Sequence, residues 1–186
     1  MFEGWGNYYF LLGSASAALV GVMSLVATLT SGGNREKAER GQRLFLTPNV
    51  FHLAAVLAMS AVALIPTRSR ELDQLLIGAV AAYGFAYATV ITVQLARRGG
   101  SALSHWSDFW CYGAAPLAAF TVILAALLWT LIEPGAGCDV MALGILAVLL
   151  MAVRNAWDLV TWLAPMRAAT LEGAAMADPP PTPTAD

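Results

Sequence analysis

Charge, cysteine and histidine are all scarce in this chain. Of its 186 residues, 10 are Lys or Arg, 12 are Asp or Glu, two are Cys and two are His. The charged share of 12% is about half that of an ordinary globular protein. A net charge of −2 leaves no basic stripe for DNA or RNA, so no nucleic-acid partner is expected. Cys111 and Cys138 lie near opposite ends of the fourth apolar segment. A helix there is about 30 Å long at 1.5 Å per residue, too far for an intrachain disulfide. No CxxC and no paired His spacing offers a metal site.

Catalytic signatures are missing too. The sequence holds no HExxH, no P-loop, no GxSxG and no pair of close carboxylates on one helix. Gly13-Ser14-Ala15-Ser16 lies inside an apolar segment, without a strand-turn-helix context or a base. A non-catalytic protein is the expectation. His52 falls inside a segment and His105 in a loop, so a haem held by both is not expected, nor is any other cofactor.

What the chain has in quantity is apolar residues, 59% of the total, in blocks long enough to cross a bilayer. About 20 consecutive apolar residues are needed to span a hydrocarbon core of roughly 30 Å. Five such blocks are present, at about 8–29, 48–65, 72–95, 108–132 and 141–164. They predict an all-α, polytopic bundle of five transmembrane helices over residues 1–171, with no room for a soluble catalytic domain beside it. The first block follows Glu3 and ends in Thr30-Ser31-Gly32-Gly33, unlike a signal peptide, and is read as a permanent span. The second opens on Thr47-Pro48, a cap followed by proline at the first helical position. Residues 31–46 carry too much charge for burial and form a surface loop or short interfacial helix. Residues 172–186 are a Pro-rich tail, expected to be disordered or polyproline-like.

Basic residues orient the spans. With the N-terminus outside and the C-terminus inside, the inner loops hold Arg35, Lys37, Arg40, Arg43, Arg97, Arg98 and Arg167. The outer loops hold only Arg68 and Arg70. Trp5 and Trp129 then fall at the outer boundary, and Trp106, Trp110 and Trp162 at the inner one.

Two features stand out within the spans. Gly13, Ala17 and Gly21 form a small-xxx-small ladder, the pattern that lets helix backbones approach in lipid. It serves either an interface with another chain or packing inside the bundle. Arg154 and Asp158, four apart on the fifth span, share a helix face and can pair, while Asn155 points elsewhere. An unpaired charge at that depth costs several kcal/mol. Asn49, His52, Gln94 and Asp108 are placed at similar depth on the other spans. The seven form a candidate intramembrane polar cluster: an ion path, a ligand pocket, a partner contact or an internal clamp. Tyr83 and Tyr87 make an aromatic stripe suited to packing, and Pro116 should kink the fourth span at the carbonyl of Tyr112.

The run Tyr8-Tyr9-Phe10-Leu11-Leu12-Gly13-Ser14-Ala15-Ser16-Ala17-Ala18-Leu19 is similar to the opening of a group of small bacterial multi-pass membrane proteins. Arg154-Asn155-Ala156-Trp157-Asp158-Leu159 resembles a motif in the last span of the same group. The resemblance covers about a tenth of the chain. It implies a bacterial cytoplasmic (inner) membrane setting and carries no activity with it.

The expected partners are the lipid bilayer and either another protein subunit or a second copy. Three functions follow: an accessory or structural subunit of a larger membrane complex, a homo-oligomeric ion channel or small transporter, or a membrane enzyme or redox protein. The first fits best, given the interface ladder and the missing chemistry.

Overall fold

Because apolar residues surround each long segment, the backbone must satisfy its own hydrogen bonds, and the α-helix does so within one segment. The computed structural model describes residues 4–30, 47–66, 69–98 and 109–177, without the side chains of residues 27, 29, 30, 98 and 162–177. They form α1 (Gly6–Thr30), α2 (Thr47–Leu64), α3 (Arg70–Arg98), a π-helical turn (Phe109–Ala114), α4 (Ala115–Trp129) and α5 (Pro134–Ala177). Five helical segments, 6–26, 47–64, 70–97, 109–129 and 134–161, are long and apolar enough to cross a membrane. The charged loop 31–46, Arg68, His105, Trp106, Asp108 and the tail 178–186 lie outside the described residues. α5 runs through Pro165 to Ala177, so the helix passes the expected end of the fifth span and takes in the start of the tail.

Consecutive helices pack antiparallel. Ser16 donates to the carbonyl of Leu53 at 2.5 Å, and the Asn49 amide faces Met23 Sδ at 3.6 Å, pinning α1 against α2. Phe51 of α2 stacks at ring-centroid distances of 5.3 Å and 4.4 Å on Tyr83 and Tyr87 of α3. Both rings of the aromatic stripe thus touch the neighbouring helix, with Tyr87 half-buried and Tyr83 left 65% exposed. α5 lies against α4, α2 and α1, and Tyr8 of α1 donates to the carbonyl of Ala142 at 2.8 Å. One end of the bundle carries Arg70, the other Asn155.

At the Arg70 end, the turn before α3 supplies its own cap. Ser69 Oγ accepts from the Leu72 amide at 3.3 Å, and Glu71 and Asp73 sit in the first turn, where the helix dipole favours negative charge. Arg70 is out of place by the same rule. Its guanidinium instead donates to the carbonyl of Thr130, the C-cap of α4 and the negative end of that helix. Gln74, one turn on, donates to Thr130 Oγ1 at 2.8 Å. Two side chains of α3 thus hold the end of α4.

Close backbone approach governs the α3–α4–α5 seam. A Cβ on Gly84 would lie 2.3 Å from the Phe120 ring, and one on Gly137 would lie 2.6 Å from the Thr130 backbone nitrogen. Phe120 is fully buried among Leu53, Val56, Ile123 and Ile145 in the shared core.

Pro116 acts at the start of α4. The chain arrives there as a π turn, in which each carbonyl meets the N–H five residues on. For Cys111 that residue is Pro116, which has no N–H. The kink expected at Tyr112 thus takes the form of a change of register over Phe109–Ala114.

Candidate functional site

The carbonyl of Cys111 finds its donor on α5. Asn155, 1% exposed, donates from Nδ2 to it at 3.0 Å. The Asn155 backbone carbonyl accepts from the Tyr112 hydroxyl at 3.2 Å, and its Oδ1 accepts from Arg154 Nη1 at 3.3 Å. Arg154 Nη1 also lies 3.0 Å from Asp158 Oδ2, with the two side chains 43% and 39% exposed. This end of α5 is a clamp: Asn155 turns inward onto the π turn, and the ion pair lies on the surface beside Trp157, 70% exposed.

The seven cluster residues therefore separate. Arg154, Asn155 and Asp158 belong to the clamp. Gln94 is exposed on α3, and Asp108 is outside the described residues. Asn49 and His52 stand apart on α2, both almost fully buried. Oδ1 of Asn49, both ring nitrogens of His52 and Oγ of Ser60 have no hydrogen-bond partner among the described residues. Residues 49, 52 and 60 are spaced by 3 and 8, so all three lie on one stripe of α2.

The small-residue ladder of α1 also divides. Gly13 is buried against α2, where a Cβ would stand 3.2 Å from Ser60 Cβ. Ala17 and Gly21 are exposed, and nothing lies within 4 Å of a Cβ on Gly21. Between α1 and α2 runs a groove of about 240 Å³. Gly13, Ser14, Ala17, Ser60 and Ala61 lie along it, and Phe10, Leu57 and Leu64 complete it. Its lining is small or apolar throughout.

Sequence reasoning missed three contributors. Ser60 and Ala61 complete the groove, and Thr130 receives both Arg70 and Gln74. Arg70 carried a readable signal, since a cation at a helix N-terminus needs a carbonyl partner elsewhere. Ser60 carried none. Neither Cys111 nor Cys138 is held in a disulfide among the described residues. Among the described residues, no group of three or more His, Cys, Asp or Glu could hold a metal ion.

No family model matches the chain, and comparison with curated proteins and with solved structures gives no match.

Proposed function

We propose that this chain is a non-catalytic, multi-pass integral membrane protein, an accessory subunit that receives a partner's transmembrane helix in the α1–α2 groove. One observation carries the reading: Ser14, Ala17 and Gly21 of α1 face outward, beside a groove floored by Gly13, Ser60 and Ala61. Lipid tails give helices no hydrophobic reason to associate, so association rests on backbone approach at small residues and on interhelical hydrogen bonds. An outward stripe of this kind gains more against a helix than against acyl chains. The excess of basic residues in the loops between α1 and α2 and after α3 supports an N-out, C-in arrangement. The resemblance of the first and last spans supports a bacterial cytoplasmic membrane.

Ala17→Leu tests the reading by filling the groove from its exposed wall. Loss of a stoichiometric partner chain, with unchanged thermal stability, supports docking there. Retention of the partner rejects it. A second copy of this chain as the lost partner would make the assembly a homo-oligomer.

The unmatched Oδ1 of Asn49 and ring nitrogens of His52 favour a second reading, a channel or small transporter with a polar path. Against it, Gln94 is exposed and Asn155 is engaged in the clamp, so among the described residues the polar atoms of α2 do not continue from end to end.

A further inference from the structure

Asn49 and His52 occupy the first two turns of α2 and are 1% and 2% exposed. Three of their polar atoms are unmatched: Oδ1 of Asn49 and both ring nitrogens of His52. The other Asn49 group, Nδ2, has only the sulfur of Met23 at 3.6 Å, and a thioether is a weak acceptor. The His52 ring lies 5.9 Å from the Phe51 ring and 5.9 Å from the Phe120 ring. Neither offers a lone pair. A buried donor or acceptor without a partner is costly, and more so where hydrocarbon replaces water around the bundle.

We infer that Asn49 and His52 form a binding site for water, built on the buried face of α2. It stands independently of the groove proposal. The chemistry of the pair selects the ligand. Asn49 Oδ1 only accepts, while a neutral imidazole presents one N–H and one lone pair. A molecule bridging them must donate to Asn49 and also donate to, or accept from, the ring. Side chains three apart on a helix have Cβ atoms roughly 5–6 Å apart, a gap that one water spans. The near-complete enclosure of both residues favours a ligand as small as water. The groove near Ser60 lies about two turns further along α2 and does not serve them.

Both residues stand near the start of α2, at the end of the bundle that carries Asn155. Asn49 is about 3 Å, and His52 about 7.5 Å, along the helix axis from Thr47. Beyond them Leu53, Val56 and Met59 are fully buried and apolar. Phe120 stands beside His52 and is held against Gly84, so the polar pair gives way to apolar core at this level.

The chain has two histidines, so His105→Gln leaves His52 as the only imidazole. With its ring labelled with ¹⁵N and the protein in phosphatidylcholine–phosphatidylglycerol vesicles, solid-state NMR can follow polarisation transfer from water protons to the ring. Rapid transfer to His52 is expected. Asn49→Leu should slow it by about twofold or more, Asn49→Ser should restore it in part, and Ser60→Ala should leave it unchanged. Melting curves confirm that each variant is folded. A ring that receives no polarisation from water, or receives it only from lipid chain protons, overturns the inference. Transfer indifferent to Asn49→Leu would also overturn it, because the water would not be shared.

Discussion

Asn155 of α5 donates its side-chain amide to the carbonyl of Cys111 at 3.0 Å, the carbonyl that Pro116 leaves without a helical partner. A residue on one helix repairs a backbone defect created by a proline on another. The pair makes a cross-check possible that neither residue offers alone.

Asn155→Leu should destabilise the bundle by about 1–3 kcal/mol, the cost of an unsatisfied buried acceptor. The same substitution should cost less in a Pro116→Ala background, where an N–H is available to the freed carbonyls. A double-mutant cycle on thermal or denaturant unfolding in detergent reads the coupling directly. Additive effects would mean that Asn155 does not answer Pro116.

Gly84 and Gly137 should respond differently to alanine. At Gly84 the obstacle is the Phe120 ring, a side chain, so overpacking of about 1–3 kcal/mol is expected. Phe120→Leu should relieve part of it. At Gly137 the obstacle includes the backbone of Thr130, which cannot step aside. Gly137→Ala should therefore be the more damaging of the two, and no change at position 120 should rescue it.

The α3–α4 tie predicts a graded series at residue 70. Arg70→Met removes a charge-assisted donor from the Thr130 carbonyl and should cost about 1.5–3 kcal/mol, while Gln74→Leu removes a neutral one and should cost about 0.5–1.5 kcal/mol. Arg70→Lys should fall between wild type and Arg70→Met. Unfolding free energies of the three variants check the order. An Arg70→Met protein as stable as wild type would show that solvent replaces the tie at no cost.

The divided ladder of α1 makes positions 13 and 21 separable. Gly13→Leu should lower the melting temperature, because its Cβ already meets Ser60. Gly21→Leu should leave the melting temperature of the isolated chain unchanged, since nothing lies within 4 Å. Any effect of Gly21→Leu on assembly is then an effect on contacts outside this chain.

The helices could be read from the sequence because the dominant physics is one-dimensional: an apolar run of sufficient length must close its own hydrogen bonds. Their ends were harder to read. α5 continues through Pro165, and α4 begins as a π turn; both depend on how proline's missing donor is accommodated, which neighbouring helices decide. For the polar residues, depth in a span does not fix direction around the helix. Asn155 turns onto the π turn, Arg154 and Asp158 lie at the surface, and Gln94 points outward. Those directions come from packing between helices far apart in sequence. The groove joins residues about 45 positions apart in the chain, and only the antiparallel seating of α1 on α2 brings Gly13 to Ser60.

If the α1–α2 groove is where this chain meets another, as proposed, assembly depends on the exposed wall of α1. Native mass spectrometry of tagged protein extracted in mild detergent tests it most directly, comparing wild type, Ala17→Leu in the groove and Ala86→Leu on the exposed face of α3. The account predicts a stoichiometric partner helix protein on wild type and Ala86→Leu, and its loss from Ala17→Leu at an unchanged melting temperature. A bare monomer in all three samples, or a partner retained by Ala17→Leu, would contradict it.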